Sequence, residues 1–225
     1  MVNRNTNAHR TDIAMTSPWN RGERVKTPGG LNIFFRTTRP GQNARGVLII
    51  VPGFNAHSGY YAWAAEQLAA TGFAVYAVDL RGRGNSDGER FYVNDFDDYV
   101  SDVASVVALA KSREPGLPIF LLGHSAGGVV SCLYVLEHQS EIAGLISESF
   151  AFQLPAPGFV LSAFKGISHL APHAHILHLK NETFSRDPDV VRAKALARAR
   201  AGRLIADQEQ GKTAASAVDN REGAP

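Results

Sequence analysis

The sequence predicts an α/β fold: a mostly parallel sheet with helices on both faces. Three observations carry that expectation. Short apolar runs recur, "GVLIIVPG" at 46–53, "FAVYAVDL" at 73–80, "IFLLG" at 119–123 and "IAGLISES" at 142–149. Between them lie stretches whose apolar residues repeat at helical spacing. Strands alternating with amphipathic helices call for crossovers, and crossovers make parallel pairs. Finally, a Gly-x-Ser-x-Gly stands where one of these runs meets the helix after it.

Residues 1–22 are polar and read as a flexible arm. "VKTPGGLNIFFRTTRPG" then reads as a hairpin, with Pro28-Gly29-Gly30 as its turn and Ile33, Phe34 and Phe35 in its second strand. The run at 46–53 is nearly continuous, as expected of a parallel strand buried on both faces. "YYAWAAEQLAATG" has helical spacing and a glycine stop at Gly72. Phe96, Tyr99, Val100, Val103, Val107 and Ala110 mark one face of a helix opening near Asn94. Val129, Val130, Leu133 and Leu136 belong to the helix that follows the 119–123 strand. Residues 23–150 thus form the core, without internal repeats.

The rhythm changes after that. Residues 151–191 are rich in Pro, His and aromatics and read as a helical cap over the sheet. Residues 192–225 form an alanine- and arginine-rich tail, read as helical and then disordered. The tail holds seven basic and four acidic residues, and the whole chain has a net charge of only +2. No field strong enough to imply nucleic acid or an acidic membrane follows from that balance. No apolar run approaches the length of a membrane span, and the first twenty residues lack the apolar stretch of a signal peptide. Cys132 is the single cysteine, so no internal disulfide forms, and the expected compartment is the cytoplasm.

Chemistry is signalled by "FLLGHSAGGVV" at 120–130. Gly123-His124-Ser125-Ala126-Gly127 is a serine on a sharp strand-to-helix turn, where flanking Cβ atoms would collide with neighbouring backbone. The turn exposes the hydroxyl at a helix N-terminus, where the Ala126 amide and the helix dipole favour a developing oxyanion. A second donor should come from the loop after an earlier strand, and "VPGFNAHSGYY" supplies one in the Phe54 amide. The bland alternatives are a glycine-rich turn with an incidental serine and an ordinary tight turn at Pro52-Gly53.

"PGFNAHSGYY", "VDLRGRGNSDG", "GHSAGG" and "SRDPDVV" occur in the order and spacing of the monoacylglycerol lipase-like α/β-hydrolases. These are also described as lysophospholipase-like or serine aminopeptidase-type. The resemblance runs from about residue 25 to 191 and implies an α/β-hydrolase fold that cleaves small lipid esters through an acyl-enzyme. It makes Ser125 the nucleophile, Phe54 and Ala126 the oxyanion hole, and Gly123 and Gly127 the elbow. Asp79 is read as holding its turn rather than as a catalytic acid. Neither metal nor other cofactor is implied.

The chain departs from the resemblance at one point. The family's aspartate and histidine follow its last two strands, beyond the cap, and neither strand is legible here, so the chain reads as C-terminally truncated. His57 and His124 lie near the serine but on the wrong side for a base. His169, His173, His175 and His178 read as packed or solvated cap residues, since their spacing on no regular element fixes no metal tetrahedron. Glu148 occupies a place where some α/β-hydrolases keep their acid, with no histidine to orient. Three readings stand open: a non-catalytic remnant that binds lipid or protein, a lipase-like enzyme read out of frame near residue 192, and a hydrolase with a rearranged base. Loss of two strands would also leave "IAGLISES" as an apolar edge, open to pairing with another chain.

Overall fold

In the computed structural model the described residues are Trp19, 22–151 and Arg192. The chain divides into two units, Met1–Pro172 and His173–Pro225, and every described residue except Arg192 lies in the first. All of the expected cap but Ala151, all of the expected tail but Arg192, and all of the expected arm but Trp19 and Gly22 fall outside the described residues.

The hairpin forms as read, β1 (Gly22–Lys26) against β2 (Asn32–Thr38), antiparallel. Its turn closes by Gly30 N–H donating to the Thr27 carbonyl at 2.9 Å, and Gly30 takes φ +86°, which glycine adopts without a Cβ clash. β3 (Gly46–Val51) is buried at every position, the sign of a strand covered on both faces. A short 3-10 turn (Ser58–Tyr61) then leads into α1 (Ala62–Ala70). β4 (Phe73–Val78), α2 (Asp97–Arg113), β5 (Ile119–His124), α3 (Ala126–Glu137) and β6 (Gly144–Glu148) complete the set.

The strand order is β1-β2-β4-β3-β5-β6. β2 meets β4 antiparallel, and β4, β3, β5 and β6 pair in parallel. Helices cover both faces, as the alternation requires. On one, Val47, Ile49, Val51, Tyr76, Val78 and Leu121 meet Val103, Val106 and Val107 of α2 and Val130 and Tyr134 of α3. On the other, Ile50, Val75 and Ala77 meet Ala65 and Ala69 of α1. Each fully buried aliphatic side chain of this kind contributes about 1.5–3 kcal/mol against exposure.

Trp19 belongs to the second cluster and is buried, although it lies in the segment read as an arm. α2 starts at Asp97, three residues after the expected opening, and Phe96 stays exposed ahead of it. Leu136 is exposed too, at the end of α3. Cover is thin at β6, whose last three residues are exposed and which, among the described residues, pairs with β5 alone.

Candidate active site

Val51 stands opposite Gly123 and His124 opposite Glu148, so the segments after β3, β5 and β6 leave the sheet along one edge. Asp79 follows β4 on that same edge. Sites in parallel sheets form there, beyond the carboxyl ends of the strands.

Ser125 has φ 54° and ψ −120°, a strained conformation for a residue with a side chain. Such strain costs about 1–3 kcal/mol and persists only where the surroundings over-determine it. Here the Ser125 N–H donates to the Glu148 carbonyl at 2.9 Å, and its carbonyl accepts from the Gly128 N–H at 3.0 Å. Close approach also excludes side chains on both flanks. A Cβ on Gly127 would lie 2.1 Å from the Val51 carbonyl oxygen, and one on Gly123 would lie 2.6 Å from that of Gly127.

Ala126 is the first residue of α3, so its N–H has no acceptor within the helix. The loop after β3 lies alongside, for a Cβ on Gly53 would stand 3.2 Å from the Ser125 Cβ. Among the described residues no acceptor takes the Phe54 N–H. Ser125, Phe54 and Ala126 therefore belong to one corner, with two backbone donors unengaged.

That corner is tied down by Asp79, read from the sequence as holding its turn, and by two arginines whose roles the sequence does not advertise. Asp79 is fully buried, and its two carboxylate oxygens accept the Ser58 N–H at 2.6 Å and the Asn85 N–H at 2.9 Å. It thus joins the loop after β3 to the turn after β4, a structural role. Arg81 is held by Asp98 and by the buried Asp102, whose side chain comes from α2. Arg83, also buried, donates through Nε to the Phe54 carbonyl at 2.7 Å.

The described histidines are His57, His124 and His138, and none of them bonds the Ser125 hydroxyl. His57 Nδ1 accepts from the Gly59 N–H, and its ring packs on Tyr60. His124 Nδ1 is buried against Gly53 without a hydrogen-bond partner among the described residues. His138 pairs with Glu141 and stacks on Tyr134 at the far end of α3. The four cap histidines lie outside the described residues.

Glu148 has a role that sequence reading missed. Its carbonyl holds Ser125, and its charge reaches Tyr61. Burial first, and Glu148 second, push the Tyr61 hydroxyl up to about 12, with the Gly53 amide pulling the other way. Tyr61 is therefore neutral at pH 7. Among the described residues no group of three metal-capable side chains exists.

Known proteins resemble this chain. The family model described as serine aminopeptidase, S33, matches residues 42–208, past residue 191 and into the segment set apart above as a tail. The monoacylglycerol lipase of Mycolicibacterium smegmatis is 34% identical over 168 residues, 73% of this chain and 60% of that one. Human monoglyceride lipase is 32% identical over 161 residues, 70% of this chain and 53% of that one. The crystal structure of Paleococcus ferrophilus monoacylglycerol lipase superposes with a TM-score of 0.58 at 30% identity, covering 70% of this chain and 60% of that one. The chain thus spans 53–60% of the length of these relatives. No helix among the described residues is long and apolar enough to cross a membrane. With the sheet order, the Ser125 turn and a family match over most of its length, the chain belongs to the serine aminopeptidase S33 family of α/β-hydrolases.

Proposed function

We propose that the chain carries the acyl-transfer site of a lipase- or esterase-type hydrolase, with Ser125 as nucleophile. The observation behind this is the strained Ser125 turn beside two unengaged amides, those of Phe54 and Ala126. In the proposed reaction Ser125 Oγ attacks the ester carbonyl carbon and gives its proton to a base. The oxyanion accepts from the two amides, and the carbon–oxygen bond to the alcohol breaks to leave an acyl-Ser125. Water then releases the acid. The names of the relatives support a monoacylglycerol or similar small lipid ester as substrate. No cofactor enters these steps.

A low rate is part of the proposal, because no described histidine bonds the Ser125 hydroxyl. An oxyanion hole and substrate binding alone retain on the order of 10³-fold over water when triad members are missing. That same observation favours one second reading, a non-catalytic module that binds lipid or protein. A further part of the proposal is that the β6 edge pairs with a second copy of the chain, since exposed apolar edge strands recruit partners.

Fluorophosphonate labelling of the purified chain, read by intact mass beside Ser125→Ala, separates the two readings. Labelling that disappears in the variant supports the hydrolase. Folded, soluble protein that takes no label supports the binding module.

A further inference from the structure

Arg83 is the most unusual side chain near the site that the acyl-transfer scheme does not use. It is 5% exposed, yet no carboxylate pairs with it among the described residues. Burying a guanidinium without such a partner is costly unless its donors are met in other ways. Arg81, two residues earlier, shows the ordinary solution, with Asp98 and Asp102 against it.

The donors of Arg83 go to uncharged oxygens. Nε donates to the Phe54 carbonyl at 2.7 Å, Nη1 to the Gly82 carbonyl at 3.1 Å and Nη2 to the Tyr99 hydroxyl at 3.3 Å. Two rings, themselves 6.3 Å apart and tilted 47° to each other, lie against it on adjacent sides. The guanidinium carbon lies 4.5 Å from the Phe54 ring centre and 4.6 Å from that of Phe91. Cation–ring contacts of this sort replace part of the lost hydration. Phe91 bears a strain of its own, φ 62°, which a bulky side chain adopts only under constraint.

Phe54 is thus gripped at both its carbonyl and its ring, and its N–H is left as the unengaged polar group. We propose that Arg83 is a positioning residue for the oxyanion loop: packed in the angle between the Phe54 and Phe91 rings and bonded to the Phe54 carbonyl, its guanidinium fixes residue 54 so that its N–H stays aimed at the oxyanion formed on Ser125. This rests on the acyl-transfer reading of Ser125 and adds what holds one of its two donors. A planar fork is needed, so lysine does not substitute: an ammonium cannot reach three oxygens while laying a flat face against a ring.

The test uses the full chain and three readouts: the saturating rate and half-saturating concentration of fluorophosphonate labelling, hydrogen exchange at Ala56, whose N–H donates to the Gly53 carbonyl across Phe54 at 3.1 Å, and the melting temperature. Arg83→Gln should lower the saturating rate at least about tenfold, a fraction of the loss seen when an oxyanion donor is removed outright. The half-saturating concentration should change less than about threefold, since reagent binding before the transition state is spared. Exchange at Ala56 should quicken while that of the α3 amides does not. Arg83→Lys should fall with Arg83→Gln rather than recover. A folded Arg83→Gln with wild-type labelling and wild-type exchange overturns the proposal.

Should Arg83→Gln not fold, Phe91→Ala removes one ring and leaves all three hydrogen bonds. Slower labelling and faster Ala56 exchange then support the clamp, and neither change overturns it. Should the wild-type chain take no label, the acyl-transfer reading fails by itself. Ala56 exchange in Arg83→Gln then decides alone whether Arg83 holds the loop.

Discussion

Ser125 stands between two walls built in different ways. On the β3–β4 side, the Phe54 loop and the turn after β4 are joined by buried polar groups, Asp79 to two backbone amides and Arg83 to the Phe54 carbonyl, while Ser86, between the Phe34 N–H and the Asp79 carbonyl, ties that turn to β2. On the β6 side, Ser125 is held by one backbone bond to Glu148, in a strand whose outer residues are exposed. A buried polar group that loses its partner incurs the full cost of its desolvation, so the first wall has few alternative arrangements. The second has only the sheet ladder and whatever lies next to it. One wall carries its own geometry. The other depends on a neighbour.

The largest expected effect follows from breaking the first wall. Asp79→Ala strips the buried Ser58 amide of its acceptor, and with it the Asn85 amide, which belongs to an exposed residue and can turn to water. A buried orphaned amide costs about 1–3 kcal/mol, so the loss of stability should be about 2–3 kcal/mol. Urea denaturation measures it. Labelling of Ser125 should fall with it even where the variant remains folded, because the loop carrying Phe54 loses its tie to the turn. A loss under about 1 kcal/mol would show that the two walls are equally loose.

The second wall is probed at Ile146, 50% exposed on β6. Ile146→Lys puts a charge on an open edge strand, a device by which natural sheets discourage edge pairing. Stability of the single chain should change by less than about 0.5 kcal/mol, as for other surface substitutions. Self-association, followed by sedimentation velocity across a concentration series, should weaken. Unchanged association would send the contact elsewhere.

The contrast also explains which parts were legible in the sequence. Strands, helices and the Ser125 turn follow from apolar periodicity and from glycines at close approach, both local signals. The hairpin, the all-apolar β3 and the Gly123–Gly127 turn were readable for that reason. Asp102 and Arg83 were not. On the helical wheel Asp102 interrupts a valine face, and only the fold brings it to Arg81, 21 residues away. Arg83 finds Phe54 29 residues back and Phe91 through a backbone conformation that sequence does not announce. In a linear sequence a buried charge is indistinguishable from a surface one, since its burial is decided by partners on other elements. Trp19 shows the converse, an apolar side chain in a polar stretch that finds the α1 face.

The smallest effect sharpens the comparison from outside the site. Asp87 ties the turn after β4 to the hairpin: its carboxylate accepts the Asn32 N–H at 3.0 Å and Asn32 Nδ2–H at 2.8 Å, with Arg24 Nη1 at 3.3 Å. The Asn32 amide, first among these, holds Asp87 below the usual carboxylate range against the opposing effect of burial. For a carboxylate with a lowered folded pKa, the stabilisation is complete above the unfolded value and vanishes as pH falls through the folded one. The group is partly solvated, so the contribution is below about 1 kcal/mol. Asp87→Asn should therefore be slightly less stable than the wild type at pH 7, and the gap should close as the pH is taken below the folded value. Glu141, lowered chiefly by Lys111, offers the matching test in the segment that leads into β6, with the same sign. Urea midpoints of wild type, Asp87→Asn and Glu141→Gln at pH 7 and pH 3 measure both. If the walls differ as argued, losing Asp87 should quicken exchange at Ala56 in the Phe54 loop and losing Glu141 should not. Equal effects of the two on Ala56 would mean that the turn and the β6 side respond as one unit, and the division drawn between them would fail.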